Sequence, residues 1–185
     1  AIATPLQPSG LGVIRVSGKQ AVPLVEHLFK SRTEKLEKTK SNKLVQGWIH
    51  DDEKLIDRVL VVVMRSPRSY TTEDVVEIQC HGSPFIMRRI LNLLLRQGAR
   101  LAESGEFTQR AFLHGRIDLT QAEAVLDLVH ASSELGSALA VQQLQGKLYN
   151  AIEEVKKQVV DTASLVEAGI EFPEEDVEFV HRDEC

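Results

Sequence analysis

The chain has 185 residues, 43% hydrophobic and 26% charged, with a net charge of −5 at pH 7, a globular composition that excludes a disordered tail and a collagen-like repeat. Its length suits one compact unit with an appendage, and no apolar run approaches the roughly 18 residues of a membrane span. Cys80 and Cys185 are the only cysteines; they are too few for a disulfide framework and lack the paired short spacings of a zinc site, which points to a reducing compartment.

Residues 12–17 are a β-branched run ended by Gly18, read as a strand whose alternation puts Val13, Arg15 and Ser17 on one face and Ile14 with Val16 on the other. A helix over residues 20–29 follows, with Val22, Val25, Leu28 and Phe29 on one side and Pro23 tolerated in its first turn. Residues 31–43 are rich in Lys and Glu and poorly periodic, which predicts a solvated loop. Residues 44–50 and 56–64 predict a hairpin turned at Asp51 and Asp52.

Residues 74–80 alternate, with Ile78 on the buried side and Glu77 and Gln79 on the other. After His81 and Gly82, Ser83 suits an N-cap and Pro84 the first helical position. The helix predicted over residues 84–96 carries Phe85, Ile86, Ile90, Leu93 and Leu94 and ends at Gly98. With residues 99–102 read as a further strand, this is a βαβ-like unit in a mixed α/β domain.

The next segment, residues 105–116, anchors one helical face on Phe107, Ala111 and Phe112, with Glu106 and Arg110 as an i,i+4 pair and Gly115 as the stop. Arg116 then occupies the connection before Asp118, and a loop held by rigid elements on both sides is a common binding position.

From Asp118 onward only helix is predicted. Residues 118–121 have capping-box spacing, and Ala122, Val125, Leu126 and Val129 follow at helical intervals. After Ser132 and Ser133 a single helix is predicted from Glu134 to about Ala168, spanning about 50 Å. Leu148, Ile152, Val155, Val159, Thr162 and Val166 form a heptad seam on it, which needs a second subunit, further helices or the α/β domain as its partner. Residues 1–149 hold 19 basic and 16 acidic groups, whereas residues 150–185 hold 3 and 11; the acidic end argues against a nucleic-acid surface there.

Several site types are excluded. Residues 9–12 are glycine-rich but precede a strand, and no phosphate-binding loop, nucleophile elbow or His-Glu-x-x-His helix occurs. The six histidines form no ligand-like pair on one helical face, so no metal site is expected. Arg15, inside a Val/Ile strand, requires solvent or a carboxylate partner, and Glu77 sits in a similar setting.

Thr4 and Pro5, residues 12–18 (Gly-Val-Ile-Arg-Val-Ser-Gly), residues 69–82 (Ser-Tyr-Thr-Thr-Glu-Asp-Val-Val-Glu-Ile-Gln-Cys-His-Gly) and residues 105–124 together closely resemble the tRNA modification GTPase family called MnmE or TrmE. Residues 144–146 and 170–176 match later segments of that family in the same order. The resemblance implies an α/β domain over residues 1–117, related to folate-binding aminomethyltransferases and serving folate binding and dimerisation. Residues 118–185 are then the first long α-helices of a helical domain into which the family inserts its GTPase domain.

The resemblance further implies a cofactor, 5-formyl- or 5,10-methylene-tetrahydrofolate, whose contacts fall on Arg15, Glu77 and Arg116. No catalytic residue is assigned, and Cys185 receives no role. GTP, Mg and K belong to the absent G domain. The implied partners are a second copy, an MnmG/GidA-type FAD protein and tRNA modified at carbon 5 of the wobble uridine, with no membrane. The implied compartment is the bacterial cytoplasm, or a mitochondrion or plastid. Two alternatives stand beside this: an assembly module without folate binding, and a stand-alone aminomethyltransferase. Thr72 and Ser83 stand where the family commonly has Gly, Ser104 replaces a common Pro, His114 a common Asn, and Arg116 a position that is Lys in some members.

Overall fold

The computed structural model describes residues 1–171. They divide into two compact units with the boundary between Ile117 and Asp118. Among the described residues no helix is long and apolar enough to cross a membrane.

The first unit is a five-stranded sheet with helices on one face. Its strands are β1 (Ser9–Ser17), β2 (Phe29–Lys30), β3 (Lys43–Asp51), β4 (Lys54–Met64) and β5 (Val75–Gly82), in the order β1-β5-β4-β3-β2. The α/β class expected from the sequence is observed, but every strand pairs antiparallel, so the expected βαβ-like unit is not formed. Helices α1 (Ala21–Leu28) and α2 (Pro84–Arg96) bury Val22, Val25, Met87, Ile90 and Leu94 against Ile14, Val61, Val76 and Ile78. The opposite sheet face carries the alternate residues, among them Arg15, Trp48, Arg58 and Glu77. Of the apolar residues of α2, Phe85 is exposed, and Met87 is buried.

Two expectations for this unit fail for identifiable reasons. Residues 99–102 form no strand, because the free edge of β1 is already occupied: Ala3 N donates to Val13 O at 2.7 Å and Arg15 N to Ala1 O at 2.8 Å. The segment instead turns through Gly105, at φ 74°, into α3 (Glu106–Leu113). Residues 31–43 are not wholly solvated either: a short 3-10 turn at Leu36–Lys38 buries Leu36 completely. The Glu26 carboxylate accepts from Leu36 N and Glu37 N, while Arg65 Nη2 donates to Leu36 O and Glu37 O at 2.9 Å. With its polar backbone satisfied, the turn can enter the core.

The second unit is helical, with α4 (Leu119–His130), α5 (Glu134–Leu144) and α6 (Lys147–Glu171). The capping box is present: Asp118 accepts from Gln121 N at 2.9 Å and Gln121 Oε1 accepts from Asp118 N at 3.0 Å. The single helix expected from Glu134 is two. Gly146 adopts φ 78° and ends α5, and Gln121 Nε2 donates to the freed Leu144 carbonyl at 2.8 Å. A left-handed residue that only Gly adopts at low cost breaks the continuity that the heptad spacing suggested. Within this unit the buried side chains of α4 and α5 are alanines, Ala124 and Ala140; Leu126 and Val129 of the expected apolar face are exposed, as is the α6 seam of Leu148, Ile152, Val155, Val159 and Val166. The end of the motif at residues 172–176 and Cys185 lie outside the described residues.

Candidate functional site

Arg15 and Glu77 come from strands 62 positions apart in sequence and sit directly opposite one another in the β1–β5 ladder. Arg15 Nε donates to Glu77 Oε2 at 2.9 Å. Gln79, two residues on and on the same face, donates its amide to Glu77 Oε1 at 3.1 Å. The Glu77 side chain is 17% exposed and that of Arg15 is 47% exposed, so the carboxylate is held from both sides while the guanidinium keeps a solvent-facing edge. The Val/Ile strand tolerates an Arg because the β alternation turns it away from Ile14 and Val16, which are buried.

Among the described residues Arg116 forms no ion pair with Glu77. It follows Gly115, which stops α3 at φ 68°; its backbone N donates to Ala111 O at 2.9 Å, and its side chain is exposed.

A second polar system adjoins the end of β1. Ser17 Oγ lies 2.6 Å from Thr71 Oγ1 and donates to Glu73 Oε2 at 2.9 Å. Arg110 Nη1 reaches the same Glu73 oxygen at 2.7 Å, and its Nε and Nη2 bind Glu106 Oε1 at 3.0 and 2.6 Å. Glu106, 6% exposed, also accepts from Arg100 Nη1 at 2.8 Å and Glu103 N at 2.9 Å. Arg100, then the Glu103 N–H and Arg110, hold the Glu106 carboxyl down at about 2. Burial pushes the Glu73 carboxyl up, but hydrogen bonds from Arg110 and Ser17 outweigh it and hold the group below the ordinary carboxylate range. The loop over residues 69–73 is further tied to α3 by Tyr70 Oη to Thr108 Oγ1 at 3.0 Å and by His114 Nδ1 to Thr71 O at 2.6 Å.

This network was legible only in part. The Glu106–Arg110 pair follows from its spacing, and Ser17 and Gln79 follow from alternation beside Arg15 and Glu77. The bridge from Arg110 to Glu73 joins residues 37 positions apart and has no local signal. Thr72 has φ 60°, a left-handed conformation costly for a β-branched residue, which accounts physically for the glycine common at that position in the resembled family. Ser83, at φ −86°, needs no glycine.

A cavity of about 280 Å³ opens beside these groups, lined by Arg15, Ser17, Leu91, Leu95, Phe107 and Arg110 among others. Besides these side chains, Lys19, Arg100 and the Glu106 carboxylate line it, and Glu77 does not. Among the described residues no group of His, Cys, Asp and Glu is arranged to hold a metal ion.

Residues 1–116 match the family model described as GTP-binding protein TrmE N-terminus, and residues 119–185 match the MnmE helical domain. The chain is 47% identical over 186 aligned positions to a tRNA modification GTPase MnmE of Alkaliphilus oremlandii, covering 99% of this chain and 40% of the relative. It is 49% identical to the protein of that name in Carboxydothermus hydrogenoformans, covering 94% and 38%, and 46% identical to that of Flavobacterium johnsoniae, covering 98% and 39%. The chain thus spans about 40% of the length of the curated relatives it matches.

Proposed function

The chain belongs to the MnmE (TrmE) family of tRNA modification GTPases, and from that membership we propose that residues 1–117 bind a one-carbon tetrahydrofolate, as the 5-formyl or the 5,10-methylene form, with Glu77 as the acceptor for the pterin. A reduced pterin presents a ring N–H and an exocyclic amino group side by side, a donor pair matched to one carboxylate. Each Glu77 oxygen accepts one internal hydrogen bond, from Arg15 or from Gln79, and keeps a second lone pair for the ligand. Arg15 orients the carboxylate through Nε and offers its Nη groups to ligand oxygens; Arg116 supplies a further cation from the turn after α3. The folate, when bound, supplies the one-carbon unit.

In this reading the folate domain serves a homodimer that acts with an MnmG/GidA-type FAD protein on carbon 5 of the wobble uridine of tRNA. GTP, with Mg and K, is handled by a G domain outside this chain. The relatives are bacterial, and a cytoplasmic site of action goes with the reading.

The observation that carries the folate reading is the Arg15–Glu77 pair, fixed in register on an open sheet face, with Arg15 also reaching the lining of a neighbouring cavity. Calorimetric titration with 5-formyltetrahydrofolate tests it. Saturable binding weakened about tenfold or more in Glu77→Ala, the worth of one charge-assisted pair of about 1.5–3 kcal/mol, is the expected result; equal affinity in the variant removes the carboxylate role. A second reading, an assembly module without folate, is favoured by the engagement of both Glu77 oxygens within the protein, and absence of any heat in the wild-type titration would select it.

A further inference from the structure

At the edge of the sheet opposite β1, Lys30 of β2, Trp48 of β3 and Arg58 of β4 stand side by side in one cross-strand row. The neighbouring Phe29–Ile49 pair is buried in the core, so alternation turns Lys30 and Trp48 to the other face of the sheet. The Arg58 guanidinium carbon lies 5.7 Å from the centroid of the Trp48 ring, and Arg58 Nη2 donates to Gln46 Oε1 at 2.8 Å. Gln46, Trp48 and Arg58 line a cleft of about 410 Å³ together with Arg32, Thr33 and Gly47, and Lys30 stands beside it in the cross-strand row. No carboxylate of the described residues pairs with Lys30, Arg32 or Arg58.

The segment leading from this row is predominantly basic, although Asp51, Asp52 and Glu53 share a neighbouring pocket with Lys30. Residues 30–43 contain six Lys or Arg and two Glu, and residues 1–117 contain 18 Lys or Arg against 12 Asp or Glu, so much of the domain's basic excess falls in the segment that begins at Lys30, with Lys30 and Arg32 beside Trp48. A small anion would need the cations alone, and a lipid surface would need more exposed apolar area than Leu44, on the same face of β3, provides. A planar guanidinium held over an indole, an adjacent amide and cations on both sides match an unpaired nucleotide, whose base stacks on the flat group while its phosphates meet the cations.

We infer that this face binds the unpaired nucleotides of an RNA, with a base stacked on Arg58 over Trp48 and the flanking phosphates neutralised by Lys30 and Arg32. The choice of RNA rests on the tRNA-modification reading above, but the residues are separate from the folate pair. The surface would let the folate domain itself hold part of the RNA substrate.

Trp48 is the only tryptophan of the chain, so the tryptophan emission of the 185-residue protein, excited selectively over its two tyrosines, reports on this row alone. The protein is titrated with an anticodon-type stem-loop RNA, with the same stem as a blunt duplex, and with vesicles of phosphatidylglycerol and phosphatidylcholine. The stem-loop is expected to quench Trp48 saturably and the duplex and vesicles to do so weakly or not at all, with the affinity falling as salt rises. Arg58→Ala should weaken stem-loop binding about tenfold, the worth of one stacked base. Arg58→Lys, which keeps the charge and loses the plane, should lose most of that affinity while keeping the salt dependence. Stem-loop binding without quenching, equal affinity in Arg58→Ala, or stronger quenching by vesicles or duplex would each overturn the inference. Retained 5-formyltetrahydrofolate binding in Arg58→Ala separates its failure from failure of the folate reading.

Discussion

Arg15 and Glu77 form a registered cross-strand pair, Nε to Oε2 at 2.9 Å, in which the half-exposed guanidinium holds a carboxylate that is itself mostly shielded. An ion pair of this exposure contributes at most about 1 kcal/mol to folding. Arg15→Ala is therefore expected to change the urea midpoint only slightly while weakening 5-formyltetrahydrofolate binding about tenfold. A variant strongly destabilised with its affinity intact would make the pair a structural brace.

Thr72 pays for its backbone. At φ 60° a β-branched residue carries a strain of about 1–2 kcal/mol, part of which is offset because glycine has more conformational freedom to lose on folding. Thr72→Gly should raise the unfolding free energy by about 0.5–1 kcal/mol in urea denaturation, and a loss of stability would show that the Thr side chain contributes more than its backbone costs.

Glu106 gives the domain a defined acid limit. Its carboxyl titrates at about 2 in the folded protein, held there first by Arg100, then by the Glu103 N–H and Arg110, against an ordinary value near 4.3 when unfolded. Because the folded value is the lower one, the stabilisation is fully present above the unfolded value and is lost as pH falls toward about 2. The stability difference between the wild type and Glu106→Gln should shrink between about pH 4.5 and pH 2. A difference that stays constant across that window would exclude the titration of Glu106 as its source.

Gly146 sets the break between α5 and α6. A Cβ at φ 78° is disfavoured, so Gly146→Ala should destabilise the helical unit by about 1 kcal/mol and Gly146→Asn, which tolerates the left-handed region, by less. Thermal unfolding followed by circular dichroism distinguishes these; equal melting of all three proteins would mean that the turn relaxes without cost.

What could be read from the residues divides along the line between local and distant causes. The bounds of α2 follow from Ser83, Pro84 and Gly98, and the outward placement of Arg15 and Glu77 follows from alternation within each strand. Their meeting does not, because the register of β1 on β5 is set by sheet order across 62 positions. Residues 99–102 read as a strand because nothing nearby reveals that Ala1 and Ala3 already occupy the edge of β1. Leu36 read as solvated because its burial depends on Glu26 and Arg65, from two other elements. Gly146 was visible, but a heptad count beginning at Leu148 does not weigh the glycine before it. Arg116 lies in a turn whose side-chain direction no periodicity constrains.

A crystal structure of this chain with 5-formyltetrahydrofolate tests the central claim most directly. The account predicts the pterin ring N–H and amino group within hydrogen-bond distance of the Glu77 carboxylate, with Arg15 still paired to it. A pterin seated elsewhere, with Glu77 contacted only by Arg15 and Gln79 as in the free protein, would contradict it.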